Sequence, residues 1–223
     1  MRHGETQYNR ERRFQGWSAD SHLTEAGKEE ARVVASLLLR SAAKISALYS
    51  SDLERALETA HPISRVLGLP ILSDPCFREM NFGAWEGLLR EEAARIDPEA
   101  YRLWLRGSPD VKPRGGESFR EMSDRVLFGL SVLAKRHQGQ SIVIVTHLGP
   151  LRGIVCTARG WTYDRRHEIS VPNCAVVVTE VSVTRDTSVF QKGLPEECPE
   201  AFARPSGGKF TLKIKEVGEM KAC

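Results

Sequence analysis

The sequence of 223 residues contains no apolar run that approaches the roughly 20 residues needed to cross a bilayer. Its first residues lack a basic stretch followed by an apolar one, so no signal peptide is predicted. Cysteine is sparse: there are five, an odd number, and no C-x-x-C pair. We therefore expect free thiols in a reducing cytoplasm, no metal site, no cofactor and no contact with a membrane.

The sequence also has little excess of one charge. It contains 32 lysines and arginines against 29 acidic residues, a formal net charge of +3. These charges are spread along the chain, which is typical of a solvated surface and not of a nucleic-acid-binding one. Hydrophobic residues make up 41% and charged residues 27%, as in soluble globular domains.

Apolar spacing predicts strands that alternate with helices. Helices are predicted over 24–40, from 51 towards 67, at two places within 88–106, from 118 and from 149. Strands are predicted over 45–49, 70–73, 141–146, 175–183 and 210–217. Capping boxes at Ser51–Glu54 and Ser118–Glu121 mark two of the helix starts. The run 142–145 is apolar on both faces, as in a buried parallel strand, so the sequence favours an α/β domain with a mainly parallel sheet.

The carboxyl-terminal part differs in composition from the rest. Residues 193–209 are rich in proline, glycine and glutamate, and we interpret them as a linker. The sequence therefore divides into a domain over residues 1–192 and a linker with an extension over 193–223. The alternation over 210–217 predicts an edge strand within that extension.

Two polar residues follow strands at the same predicted sheet edge. His147 comes directly after the strand that ends at Thr146, and Arg55 lies in the first turn of the helix after the strand ending near Tyr49. Ligands of open α/β sheets bind at the carboxyl ends of the strands. Helix amino termini and an arginine fork at that edge both favour phosphate. Pattern alone thus indicates an α/β protein with an anion site.

Several short segments resemble, in order, the motifs of the histidine phosphatase superfamily, which includes the cofactor-dependent phosphoglycerate mutases. They are Arg2-His3-Gly4-Glu5-Thr6 with Asn9, Phe14–Trp17, Leu23–Gly27, Ser50–Ala56, Arg78–Gly87, Gly116–Ser118 and Val145–His147. The resemblance covers residues 1–185. It implies a three-layer α/β/α sandwich with a mainly parallel central sheet, and it implies phosphate ester chemistry without a metal.

The resemblance also implies a role for each site residue. His3 is the nucleophile, because a neutral imidazole attacks a phosphate dianion without charge repulsion. Arg2, Arg55 and His147 form a cationic clamp for the transferred phosphoryl group. Glu79 is the general acid and later the base for water. Further contacts to the phosphoryl group or substrate are implied for three positions: Asn9, Gln15 and Gly16.

Two features depart from the family pattern. The family places a central hydrophobic strand before Arg-His, whereas only Met1 precedes Arg2 here. The first strand is therefore lacking, and we expect an upstream start of the reading frame or a truncated chain, with two exposed strand ladders. Leu148 stands where a small residue is common. We expect its side chain to narrow the substrate pocket and its backbone N–H to stay available.

Three functions remain open from the sequence. The first is a phosphatase for a small phosphorylated metabolite, nearest to the α-ribazole phosphatases of cobalamin biosynthesis, acting as a monomer or homodimer. The second is a phosphoglycerate mutase, which would need clustered basic residues between 80 and 146. Those present are spread out, which favours hydrolysis: Arg90, Arg95, Arg102, Arg106, Lys112 and Arg114. The third is a non-catalytic phosphate-binding protein. The pocket wall is predicted within 80–115, and His22, His61, His137 and His167 are interpreted as structural or surface residues.

Overall fold

Helices and strands alternate along the residues that this computed structural model describes, 1–41, 43–185 and 210–220. The described α-helices are α1 (Gln7–Glu11), α2 (Glu25–Arg40), α3 (Glu54–Leu67), α4 (Arg90–Ile96), α5 (Pro98–Leu105), α6 (Phe119–Arg136) and α7 (Leu148–Ala158). The described strands are β1 (Ile45–Ser50), β2 (Ile71–Ser73), β3 (Ser141–Val145), β4 (Val176–Arg185) and β5 (Phe210–Met220). Short 3₁₀ turns occur at Pro75–Phe77, Gly83–Trp85 and Tyr163–Glu168.

The central sheet is parallel, with the strand order β2-β1-β3. Side chains of β1 point alternately to its two faces, so Leu48 enters one core and Ala47 and Tyr49 enter the other. The first core is covered by α2 and α3, and the second by α6. The predicted three-layer α/β/α sandwich is thus confirmed.

The first three residues continue this sheet beyond β3. Arg2 forms a parallel bridge with Thr146, and its backbone N–H donates to the carbonyl of Ala175 at 3.1 Å. The His3 N–H donates to the carbonyl of Thr146 at 2.9 Å, and the His3 carbonyl accepts from the Cys174 N–H. Residues 1–3 therefore lie between the end of β3 and the segment before β4, hydrogen-bonded on both sides.

The prediction of a fully buried strand over 142–145 is wrong in part. Only Val145 is buried, while Ile142, Val143 and Ile144 are partly exposed. The reason is that among the described strands only β1 pairs with the first half of β3. Along that half, no other described strand covers the edge of β3 that faces away from β1.

Helix capping explains most of the helix boundaries. Thr24 and Ser118 cap α2 and α6 through their side chains, and Ser118 with Glu121 forms the predicted capping box. The box predicted at Ser51 is wrong: α3 begins at Glu54 after Leu53, which has no side-chain cap. The Ser51 hydroxyl is used in the site described below. Pro62 lies inside α3 without splitting it.

The carboxyl-terminal predictions are tested only in part. The edge strand is present as β5, which pairs antiparallel with β4 from Val176↔Met220 to Arg185↔Phe210. The predicted linker, 193–209, and the boundary between residues 192 and 193 lie outside the described residues, so the domain division stays a prediction. None of the described helices is long and apolar enough to cross a bilayer.

Candidate active site

The carboxyl edge of the parallel sheet brings together residues from four distant segments. Arg2 and His3 follow the bridge to β3, Arg55 lies in the first turn of α3, and His147 is the residue before α7. Glu79 comes from the loop after β2. A cavity of about 320 Å³ opens at this edge, and it is lined by Arg2, His3, Arg55 and Glu79. The neighbouring His147 ring lies 5.1 Å from the His3 ring, centroid to centroid.

His3 is fixed as a neutral imidazole with one free nitrogen. Its Nδ1 lies 2.7 Å from the carbonyl oxygen of Gly4. A carbonyl only accepts, so Nδ1 carries the proton and Nε2 keeps its lone pair. The ring is 2% exposed. Burial, followed by the charges of Arg55 and Arg2, holds the pKa of His3 well below its ordinary value. His3 is therefore a neutral imidazole at neutral pH, with a lone pair on Nε2.

His147 is completely buried beside His3. Its Nε2 is 2.8 Å from the hydroxyl oxygen of Ser51, and its Nδ1 has no hydrogen-bond partner. Burial is the main cause that holds the pKa of His147 well below the usual value, and the charge of Arg55 adds to it. An anion beside this ring would reverse that effect and favour the imidazolium form.

Two arginines supply the positive charge around His3. Arg55 is 1% exposed and donates to the carbonyl of Gly16 at 2.7 Å, while Arg2 donates to Val171 at 2.7 Å. Burial lowers the pKa of Arg55 to about 10 and also lowers that of Arg2. Both keep a buried Nε without a partner. Uncompensated buried charges are costly, so this arrangement suits a bound anion.

Glu79 faces the start of α7. Its Oε1 accepts a backbone N–H bond from Gly149 at 3.1 Å and another from Met80 at 2.8 Å. A side chain at Gly149 would collide with this carboxylate, since a Cβ there would meet Glu79 Oε1. The carboxyl group therefore lies against the same helix start that carries His147.

A buried ion pair that the sequence did not reveal holds the Glu79 loop. Arg125, on α6, is 4% exposed and pairs with Glu117 at 2.5 Å. Its guanidinium also donates to the carbonyls of Cys76 and Glu79, at 2.9 Å and 3.2 Å. Glu117 in turn accepts from the Asn81 N–H. The available sequence signal was a charged residue on the apolar face of the helix at 118–136.

The substrate-contact residues implied by the family resemblance also reach the cavity. Asn9 accepts at Oδ1 from Thr6 and from Asn173 Nδ2, so its amide NH₂ remains free to donate. Gln15, Gly16 and Leu148 line the same space. Gly16 has φ of +52°, and a Cβ there would collide with Glu86. The Leu148 side chain packs partly against the core under α7.

The remaining wall is broader than the predicted range 80–115. Met80, Phe82, Arg90 and Trp104 come from that range, and of its six basic residues only Arg90 lines the cavity. The rest of the wall includes residues beyond it, namely Phe119, Arg152, Arg166, His167 and Asn173. His167 was interpreted as structural or surface and lies on the cavity wall instead. The sequence pattern did not indicate this position for His167, because the short 3₁₀ turn over 163–168 is too brief to show a periodic apolar face.

Possible metal ligands are found elsewhere. Among the described residues, the ligand atoms of His22, Glu54 and Glu58 lie within 4.8 Å of one another. This group is largely exposed and does not line the cavity. The cavity itself offers one carboxylate, Glu79, among several arginines, a set that suits an anion better than a cation.

Comparison with known proteins identifies the family of this chain. The sequence model of the histidine phosphatase superfamily, branch 1, matches residues 1–191. The chain belongs to this superfamily. This histidine phosphatase is 43% identical to phosphoglycerate mutase-like protein 4 of Arabidopsis thaliana over 161 residues, 71% of this chain and 69% of that protein. It is 38% identical to the metal-independent phosphoserine phosphatase of the same plant over 156 residues, 69% and 65% of the two chains.

Solved structures agree with this family. Bacillus stearothermophilus YhfR superposes with a TM-score of 0.76 at 34% identity, covering 81% of this chain and 89% of that one. The α-ribazole phosphatase from Shigella flexneri gives a TM-score of 0.72 at 28% identity, covering 82% and 89%. Since the relatives include named phosphatases, this histidine phosphatase is a phosphoric monoester hydrolase.

Proposed function

We propose that this enzyme hydrolyses a small phosphate monoester through a phosphohistidine formed on His3. The observation that carries the proposal is the set of unsatisfied buried donors. Of the five buried side-chain atoms that lack a hydrogen-bond partner in the described chain, three belong to Arg2, Arg55 and His147. These residues surround an unprotonated His3, as the clamp around an oxyanion must.

In the first step, His3 Nε2 attacks phosphorus as the bond to the ester oxygen breaks. The carboxyl proton of Glu79 passes to that oxygen, which leaves as a neutral alcohol. Charge on the equatorial phosphoryl oxygens is met by Arg2, Arg55 and His147. The His3 Nδ1–H bond to Gly4 keeps the ring oriented through the step and stabilises the charge that the imidazole gains.

In the second step, the Glu79 carboxylate accepts a proton from a water molecule whose oxygen attacks the phosphohistidine. The phosphorus–nitrogen bond breaks, inorganic phosphate leaves, and His3 and Glu79 return to their starting protonation states. The loop contacts from Arg125 and from Trp17, whose Nε1 donates to the Glu79 carbonyl at 2.7 Å, support one fixed position for this carboxyl group through both steps.

The size of the cavity, about 320 Å³, fits a small metabolite. Relatives named for phosphoserine and for α-ribazole phosphate make both esters candidate substrates. The mutase alternative is less well supported, because only Arg90 of the basic residues in 80–115 reaches the cavity. The buried free cysteines Cys76, Cys156 and Cys174 support a reducing, cytoplasmic location.

Hydrolysis of p-nitrophenyl phosphate by wild type, His3→Ala and the surface variant His61→Ala tests this function. We expect His3→Ala to lower kcat/KM by about a thousandfold or more, as removal of a nucleophile usually does, and His61→Ala to match wild type. With a radioactively labelled ester, acid-labile phosphate should be trapped on wild type but not on His3→Ala. Equal rates in wild type and His3→Ala would refute the proposal.

A mutase is distinguished in the same assay. Wild type is incubated with 3-phosphoglycerate, with and without 2,3-bisphosphoglycerate. A hydrolase releases inorganic phosphate from whichever of the two esters it accepts and forms no 2-phosphoglycerate. Formation of 2-phosphoglycerate that requires the bisphosphate would replace the hydrolase assignment with the mutase.

A further inference from the structure

The active-site cavity carries more positive charge than one phosphate ester needs. Among the described residues that line it, seven are arginines and one, Glu79, carries a carboxylate. Arg2 and Arg55, with His147 behind them, already match a phosphoryl dianion. The other arginines therefore need a separate explanation.

Of the five remaining lining arginines, Arg12 is exposed, and two others are accounted for within the protein. Arg13 pairs with Glu11 at 2.6 Å and lies 3.8 Å from Glu92. Arg166 is buried and donates to four backbone carbonyls, among them those of Gly107 and Trp104. Its charge holds the turn beside the cavity together and is not directed to a ligand.

Arg152 differs from both of these. It lies in the second turn of α7, is partly buried, and donates through Nε to the carbonyl of Ile169 at 2.9 Å. No described carboxylate forms an ion pair with it. Burial is the main cause that lowers the pKa of Arg152. A partly desolvated guanidinium without a counter-ion costs free energy that a ligand anion would recover.

The groups beside Arg152 reinforce this reading. Arg90 lies at the rim with its guanidinium 5.9 Å from the Trp104 ring centroid, and its charge also lowers the pKa of Arg152. His167 lies against the same indole and donates from Nε2 to the Trp104 carbonyl at 3.3 Å. The charge of Glu79 acts on Arg152 in the opposite direction and raises its pKa. Glu79 is not a dedicated counter-ion for Arg152, because its carboxylate accepts two backbone N–H bonds and exchanges a proton in the proposed reaction.

The spacing from the phosphoryl site is short. Arg152 lies four residues beyond Leu148, where α7 begins, which is about 6 Å along a helix axis. The charge of Arg152 lowers the pKa of Arg2, so the two guanidinium groups are electrostatic neighbours. A substrate with two anionic groups separated by a few atoms would reach both.

From this geometry we infer that Arg152, with Arg90 at the rim, forms a second anion subsite for a carboxylate or second phosphate carried on the ester. The inference rests on the proposed phosphatase function and narrows its substrate class to short acidic phosphate esters. Phosphoserine belongs to that class. α-Ribazole phosphate does not, because it carries no second acidic group.

Matched substrate pairs test the subsite. Phosphoserine and phosphoethanolamine differ by one carboxylate, and fructose 1,6-bisphosphate and fructose 6-phosphate differ by one phosphate. We expect wild type to prefer the acidic member of at least one pair by about tenfold in kcat/KM, the usual contribution of a charge-assisted bond. Whichever pair shows this preference identifies the anionic group that the subsite binds, a carboxylate or a phosphate. Arg152→Gln should bring that ratio close to 1, whereas the exposed control Arg65→Gln should keep it.

Failure of this inference can be told apart from failure of the proposed function. If p-nitrophenyl phosphate is hydrolysed through His3 and neither pair shows a preference, the subsite is refuted and the phosphatase stands. A preference that survives Arg152→Gln also refutes it. If no ester is hydrolysed, calorimetric titration of wild type and Arg152→Gln with the same pairs tests whether the subsite exists. The subsite requires that wild type binds the acidic member of a pair more tightly than the other member, and that Arg152→Gln does not.

Discussion

At the scale of single residues, the two histidines at the centre of the site share one electrostatic environment. Both His3 and His147 are buried, and Arg55 contributes to lowering the pKa of each. Proteins rarely bury two imidazoles beside guanidinium groups, because neither ring can gain a proton without facing a like charge. The arrangement keeps His3 neutral, as the proposed nucleophile must be, and it disfavours protonation of either ring.

This environment predicts a pH dependence of stability. In the unfolded chain each imidazole binds a proton below about pH 6.5, whereas in the folded chain the pKa of each is well below that value. The unfolded state therefore binds more protons in this window. The free energy of unfolding should fall as pH drops below 6.5, by about 1.4 kcal/mol per pH unit for each histidine.

Urea unfolding between pH 7 and pH 5.5 measures this slope. Burial also lowers the pKa of His167 and of the Met1 amino group, which add to the slope in wild type and variants alike. His147→Gln removes one of these groups and should make the slope shallower, while the exposed control His61→Gln should leave the slope of wild type intact. Carboxylates contribute equally to all three proteins, so the difference between slopes isolates His147. Identical slopes in wild type and His147→Gln would contradict the burial argument.

The residue scale also defines how far sequence reasoning reaches. Arg55 and His147 were predictable because each follows a predicted strand at one sheet edge, and His3 was predictable from its family motif. Arg125 and Arg152 were not, since each lies on a helix whose neighbours become known only when the chain is folded. Motifs thus predict the phosphoryl site, whereas the wall that selects the substrate depends on tertiary packing.

At the scale of elements, the loop over 75–87 positions the side chain of Glu79. It has little regular structure of its own, and it is held by contacts from outside: Arg125 from α6, Glu117 from the turn before α6, and Trp17 from the segment after α1. Trp17 donates one hydrogen bond from its indole to the Glu79 carbonyl, and its ring lies 4.7 Å from the guanidinium of Arg78 in the loop. Removal of this hydrogen bond should misplace the general acid without removing the charge pair.

Trp17→Phe tests this contact, because it keeps an aromatic ring and removes the indole N–H. We expect a loss of about 1 kcal/mol of stability, typical for one hydrogen bond, and a fall in kcat with a smaller change in KM. The fall should be larger for an alkyl phosphate than for p-nitrophenyl phosphate, because only the poor leaving group needs a proton from Glu79.

The matched control is Trp161→Phe, since Trp161 stacks under Arg165 at 3.7 Å and contacts none of the loop. Steady-state kinetics with both substrates give the comparison. An equal fall for the two substrates in Trp17→Phe would indicate a general loss of packing and not a displaced acid.

Element boundaries also show where sequence prediction fails. The boxes at Ser51 and Ser118 have the same pattern, but only Ser118 caps its helix. Ser51 instead bonds to His147, a residue 96 positions away. The Ser51 hydroxyl can bond either to the start of the helix or to a residue distant in sequence, and the sequence does not reveal the distant partner. Here that partner, His147, belongs to the proposed catalytic centre.

At the scale of the whole molecule, the α/β/α sandwich is built around a sheet that is incomplete on one side. The described strands leave the first half of β3 paired only with β1, and β4 is paired along its length with β5. The residues proposed for the chemistry lie within 2–147, at the carboxyl edge of the parallel sheet, and β5 contributes none of them. Strand pairing by β5 should therefore matter more for stability than for chemistry.

Removal of residues 210–223 tests this division. An unpaired β4 exposes its backbone groups, so the truncated protein should unfold several degrees lower than wild type and aggregate more readily. At low temperature its kcat on p-nitrophenyl phosphate should stay within about twofold of wild type. Removal of 221–223 alone keeps β5 and serves as the control. A truncation that loses activity while its Tm is unchanged would assign the strand a catalytic role instead.

One last consequence follows from the contact between Cys174 and His3. Cys174 is buried, adopts φ of +55°, donates its N–H to the His3 carbonyl, and has its pKa raised to about 12 by burial. A protonated, enclosed thiol reacts with an alkylating reagent only during transient local opening. Once Cys198 and Cys223 are replaced by serine, the alkylation rate at Cys174 would time how often the nucleophile segment detaches from the sheet.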